Sequence, residues 1–117
     1  MLTIGMACYD DYDGVYFSVQ ALKLYHKARL LDLEIIIVDN NPKSKHGEAV
    51  KKLATKNSFV KYIPFPNSVG TTQPREAIFE HASKEYVVCI DPHVLIAEGA
   101  IEKLIQYYKD NPDTKDL

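Results

Sequence analysis

Tyr86-Val87-Val88-Cys89-Ile90-Asp91-Pro92-His93 is an apolar, β-branched run that stops abruptly at an acid, with a histidine two residues on. Such a run reads as a strand buried on both faces, the mark of a parallel sheet covered by helices. In open α/β sheets ligands bind just beyond the carboxyl ends of the strands, which is where Asp91 and His93 fall. A carboxylate oxygen and an imidazole nitrogen both suit Mn²⁺ or a similar borderline cation. The ending therefore reads as a candidate metal site, with Mn²⁺ or Mg²⁺ the expected cofactor.

Three further runs have the same character, at residues 2–8, 33–38 and 59–65. Between the first two, Val15, Val19, Leu22 and Leu24 recur near helical spacing, and Ala49, Val50, Leu53 and Ala54 do so after the second. Pro74 suits the first turn of a third helix carrying Ala77, Ile78 and Ala82, while Ile101, Leu104, Ile105 and Tyr108 stripe a fourth. Strand and helix alternate four times, which implies right-handed crossovers. The expected fold is α/β, a Rossmann-like three-layer sandwich with a mainly parallel sheet in strand order 3-2-1-4. The domain is expected to occupy residues 1–110. Residues 111–117, with Pro112, read as a polar tail, and the chain is expected to be truncated there.

A chain of 117 residues, 46% of them hydrophobic, encloses one core. Its 14 basic and 16 acidic residues nearly cancel and form no basic block, which argues against nucleic acid or a polybasic membrane arm and for a small partner. No apolar segment approaches the roughly 20 residues of a membrane span, and Met1-Leu2-Thr3-Ile4 enters a strand pattern at once, leaving no room for a signal peptide. A cytoplasmic location is expected. Cys8 and Cys89 fall in predicted strands at no zinc-like spacing and read as buried, reduced thiols without a catalytic role. His26, His46 and His81 lack ligand spacing and read as surface residues; Tyr107 and Tyr108 read as core and edge packing.

Every predicted strand leads into a polar loop: Tyr9-Asp10-Asp11-Tyr12-Asp13-Gly14, then Asp39-Asn40-Asn41-Pro42, then Asn67-Ser68-Val69-Gly70-Thr71-Thr72, then Asp91-Pro92-His93. All four converge at one sheet edge, the place of a crevice ligand. The first loop lacks the Gly-x-Gly-x-x-Gly that lets backbone amides meet a pyrophosphate. With acids there instead, a diphosphate needs a bridging divalent cation, which returns to Asp91 and His93.

The run ending Val38-Asp39-Asn40, then Asn67-x-x-Gly70 with Arg75, then Ile90-Asp91-Pro92-His93 resemble the ordered motifs of family 2 glycosyltransferases of GT-A fold, matching the amino-terminal, nucleotide-sugar-binding half of that family's domain. The resemblance implies a donor-binding part that holds a nucleotide-diphosphate sugar, a UDP-sugar first among them, through a divalent metal for transfer to an acceptor hydroxyl with inversion. By position Asp39 would contact the base, Asp10 or Asp11 would close on the nucleoside, and Asp91 would carry metal and ribose. Asn67 and Gly70 would belong to the nucleotide-sugar-binding loop, and Arg75, which follows it, would help organise the base end of the pocket. His93 stands where the family has the second acid of Asp-x-Asp, and the family's general base lies further along than these residues reach. Plainer roles compete: Asp91 as a turn cap, Asp39-Asn40 as an ordinary turn, Asn67 and Gly70 as turn formers, Arg75 as a partner of Glu76 or Glu80. Two other functions are set against the transferase, a non-catalytic nucleotide-binding module and a receiver-like signalling domain. The latter wants an aspartate closing the third strand, where Phe65-Pro66-Asn67 stands, and a lysine after a later one.

Overall fold

Alternation of side chains along the strands divides the core into two layers. The computed structural model describes residues 2–26, 32–65, 72–97 and 99–112. The strands are β1 (Leu2–Cys8), β2 (Leu33–Asp39), β3 (Val60–Pro64) and β4 (Tyr86–Cys89). They alternate with helices α1 (Tyr12–Tyr25), α2 (Lys45–Lys56), α3 (Thr72–His81) and α4 (Ala100–Asp110). Leu2, Ile4, Met6 and Cys8 of β1, with Leu33, Ile35 and Ile37 of β2, pack beneath α1, α2 and α4. Ile36 and Val38 point the other way, onto Ala77 and Ile78 of α3. Period-two alternation on the strands thus yields three layers, helix, sheet and helix, as expected.

The sheet is wholly parallel in the order β3-β2-β1-β4, with Leu2 opposite Leu33 on one side and Tyr86 on the other. The chain winds outward from β1 to β3, then crosses back to the far side of β1. That reversal opens a crevice between the carboxyl ends of β1 and β4. The order 3-2-1-4 is the dinucleotide-fold arrangement; receiver-like sheets run 2-1-3-4-5. Gly5 of β1 lets α3 lie close, since a Cβ there would sit 2.8 Å from Ile78 Cδ1 and 2.9 Å from its Cγ1.

Local chemistry fixes the helix starts. Asp11 caps α1 by accepting from the Gly14 N–H at 2.9 Å, and Ser44 caps α2 by accepting from Gly47 N–H at 3.1 Å. At the amino edge of the sheet, Glu34 is buried among the hydroxyls of Thr3 and Ser83, the Ser83 N–H and the Lys61 ammonium. Burial works to raise its pKa, but these donors outweigh it and hold the carboxyl down at about 2.

Three expectations are corrected. Leu24 is 73% exposed instead of lying in the core, because it stands nine residues from Val15, half a turn off the stripe of Val15, Val19 and Leu22. His26 is buried, not on the surface: it ends α1, and its Nε2 bonds the Ile96 carbonyl at 2.9 Å across a segment that folds over the helix. β4 is half-buried, not buried on both faces, because β1 is its one partner among the described strands. His46 and His81 are exposed, as expected, and Tyr108 packs in the core with Tyr107 at its edge. No described helix is long and apolar enough to cross a membrane.

Candidate functional site

The carboxyl edge gathers the acids. Asp39 closes β2 directly opposite Cys8 at the end of β1. It is 1% exposed, yet both carboxylate oxygens are occupied: Oδ1 accepts from the Asn41 N–H at 2.9 Å and Oδ2 from the Tyr62 hydroxyl at 2.7 Å. The Tyr62 hydroxyl titrates well above its usual range, through burial first and then the bond to Asp39. Burial, with Asp39 and Asp11 adding negative charge nearby, pushes the Cys8 thiol up to about 12. Cys8 is therefore a protonated thiol beside the site and not a nucleophile.

Asp10 adopts a left-handed backbone (φ 49°), and its Oδ1 accepts from Asn41 Nδ2 at 3.0 Å, tying the loops after β1 and β2 together. Asp11 faces the other way. Besides capping α1, its carboxylate meets His93 Nε2 at 2.9 Å from Oδ2 and 3.2 Å from Oδ1. His93 reaches it through a left-handed backbone (φ 71°) with its own N–H on the Gly14 carbonyl at 3.2 Å. Gly14 leaves the space: a Cβ there would lie 2.5 Å from Asp11 Oδ2 and collide with the His93 ring.

Residues 93–96 lie along α1, with Val94 N–H on Ser18 Oγ at 3.1 Å and the Ile96 carbonyl on His26. The helix thus carries this loop at residues 11, 14, 18 and 26. Small residues four apart, Gly14 and Ser18, are the sequence signal that could have revealed this seat. Asp91 is exposed, and its carboxylate has no partner among the described residues, so nothing marks it as a turn cap. Arg75 is exposed in the first turn of α3, without an ion pair to Glu76 or Glu80 among the described residues. Burial raises the Cys89 thiol, opposed by the nearby Arg75 charge. Asn67 and Gly70 lie outside the described residues.

The structure thus brings Asp39, Asp10, Asp11 and His93 to one edge, and it pairs His93 with Asp11, a contact the sequence did not reveal. Among the described residues no group of three or more His, Cys, Asp or Glu is already gathered to hold a cation. The donor types still suit one: the His93 and Asp11 side chains are 65% and 29% exposed, and Asp91 is exposed without a partner among the described residues. An imidazole and carboxylates, completed by phosphate oxygens, make a site of the kind Mn²⁺ or Mg²⁺ takes.

The family model described as glycosyl transferase family 2 matches residues 3–114. The poly-beta-1,6-N-acetyl-D-glucosamine synthase of Staphylococcus aureus strain MSSA476 is 25% identical over 114 residues, 95% of this chain and 26% of that protein. Among solved structures, S. aureus TarS 1-349 superposes with a TM-score of 0.80 at 14% identity, covering 99% of this chain and 37% of TarS 1-349. The mannosyltransferase PcManGT of Pyrobaculum calidifontis, in complex with GDP-Man and Mn²⁺, superposes with a TM-score of 0.78 at 17% identity, over 92% of this chain and 32% of that one. These structures share the α/β sandwich of GT-A enzymes. The chain spans about a quarter of the length of the curated relative it matches.

Proposed function

We propose, since this chain belongs to glycosyl transferase family 2, that it forms the donor-binding part of a glycosyltransferase that takes a nucleotide-diphosphate sugar. The observation that carries the proposal is the reversal of strand order at β1, which sets the loops of Asp10 and Asp11 beside that of Asp91 and His93, with Asp39 on the adjoining strand. By resemblance Asp39 serves the nucleobase; its carboxylate, buried with both oxygens accepting from the Asn41 N–H and the Tyr62 hydroxyl, has to be uncovered for direct contact or else acts by fixing the loop that meets the base. Asp10 and Asp11 flank the nucleoside; by resemblance Asn67 and Gly70 belong to the nucleotide-sugar-binding loop, and Arg75 serves the base end of the pocket.

Asp91 and His93 would hold the divalent cation, Mn²⁺ or Mg²⁺, whose chemistry is to neutralise the departing diphosphate. His93 must turn from Asp11 to do so, or bring Asp11 with it. A UDP-sugar is the preferred donor. TarS has been solved with UDP-GlcNAc and PcManGT with GDP-Man and Mn²⁺, which supports the class of donor and the use of metal. By resemblance, the base that deprotonates the acceptor hydroxyl is expected further along the family's domain than the motifs named here. Free thiols at Cys8 and Cys89 agree with a cytoplasmic setting, where thiols stay reduced.

Calorimetric titration of UDP with Mn²⁺, and again with EDTA, tests the proposal. Tighter binding with the metal is expected. Equal affinity in both conditions would remove the metal from the site, and no binding in either would remove the donor.

A further inference from the structure

α1 and α2 lie side by side on one face of the sheet, and the seam between neighbouring helices is ordinarily apolar. Here it is not. Tyr12, Tyr16, Gln20 and Lys23 recur at i, i+4, i+8 and i+11 along α1, while Lys52 and Lys56 stand four apart on α2. With Ala49 and the buried Leu53 also in its lining, they enclose a groove of about 450 Å³. A shallower hollow of about 200 Å³ shares Tyr12 and Ala49 with it and adds Lys45 and His46.

The groove's polarity is one-sided. Three ammonium groups line it without an Asp or Glu, although the chain as a whole has a net charge of −2. None of the three forms an ion pair with a described residue. Lys23 and Lys56 sit in the last turns of their helices, where the helix dipole alone favours a cation. That account does not extend to Lys52 in mid-helix, nor to the missing acids. Phenol hydroxyls of Tyr12 and Tyr16 and the Gln20 amide add donors, whereas the Asn57 amide is already committed to the Leu53 carbonyl. The two tyrosine rings lie 5.6 Å apart along α1.

From this arrangement we infer that the groove between α1 and α2 is a second binding site, separate from the donor crevice, for a phosphate-bearing ligand. Three lysines along one groove gather like charge there, which favours a multiply charged anion. A carboxylate brings one negative charge; a phosphate monoester brings about 1.5–2 at neutral pH. Lysine meets phosphate as a point charge, with the rotatable donors that suit an open groove.

Inorganic pyrophosphate is the first probe, titrated at low salt with EDTA present and in an Asp91→Asn background, so that the donor crevice does not contribute. Lys52→Glu with Lys56→Glu should weaken binding at least about tenfold, while Lys51→Glu, an exposed lysine of the same helix outside the groove, should change it less than about twofold. Raising salt from about 50 to about 200 mM should weaken it further. Vesicles with and without phosphatidylglycerol identify the source: capture on the anionic vesicles alone, reversed by pyrophosphate and abolished by the double variant, assigns a lipid headgroup. No capture with pyrophosphate still bound assigns a soluble phosphate ester. Pyrophosphate affinity unchanged by the double variant, lowered equally by Lys51→Glu, or absent altogether in folded protein, overturns the inference.

Discussion

Replacing Tyr62 by Phe removes one oxygen and little else. The hydroxyl lies 2.7 Å from Asp39 Oδ2, and the carboxylate it serves is 1% exposed, so water cannot readily replace the lost donor. A hydrogen bond to a charged group contributes about 1.5–3 kcal/mol, and leaving the buried acceptor short has a similar cost. Because Tyr62 is itself only half-buried, the lower half of that range applies, about 2 kcal/mol. For a domain of this size each kcal/mol moves the melting temperature by roughly 4 °C, so Tyr62→Phe should melt about 8 °C lower. A double-mutant cycle with Asp39→Asn isolates the pair, and a coupling of at least about 1 kcal/mol is expected. In parallel, UDP affinity should fall in Tyr62→Phe, since Asp39 would keep the Asn41 amide but lose the Tyr62 hydroxyl that helps orient it. A melting shift below about 2 °C, or strictly additive single substitutions, would show that Asp39 does not depend on Tyr62.

Glu34 gives a pH dependence of known sign. Its carboxyl is held at about 2 against an ordinary 4.5, so its contribution is complete above about pH 5 and is lost as pH falls toward 2. With the Lys61 side chain 53% exposed and its share discounted, the stability difference between the wild type and Glu34→Gln should shrink by about 1–2 kcal/mol from pH 7 to pH 3 in urea titrations; a constant difference would contradict it. Gly5→Ala should cost about 1–3 kcal/mol, because its methyl would press on the fully buried Ile78; urea unfolding within about 0.5 kcal/mol of wild type would mean α3 can step back freely. Asp91→Asn should lose at least about tenfold of the Mn²⁺-dependent UDP affinity with an unchanged circular dichroism spectrum, and full retention would reduce Asp91 to a turn residue.

The alternation of apolar runs and helical stripes made the layers and strand order legible from sequence, because each element's period reports which face it buries. What escaped was set by relations between elements. Leu24 shares its neighbours' hydrophobicity and differs only in angle around the helix. The bond from Tyr62 to Asp39 depends on the register that sets Pro64 opposite Asp39, which neither strand specifies alone. The Asp11–His93 pair needs a positive φ at His93 and a missing side chain at Gly14, and Gly14 alone reads as an ordinary turn glycine. The burial of His26 is hidden from the sequence for a similar cause: what buries it arrives seventy residues later.

The reversal of strand order that opens the crevice also sets a sequence of events during synthesis. β1, β2 and β3 pair in chain order, so that half of the sheet can close once residues through Pro64 have emerged. The other side of β1 waits for Tyr86–Cys89, some eighty residues after it. Until then Leu2–Cys8 presents an unpaired row of amides and carbonyls, the template on which a second nascent chain could add a strand. The geometry that makes room for a ligand therefore leaves the central strand as the last to be sealed, and slow translation between Pro64 and Tyr86 would be the stage at which this protein is most open to misassembly.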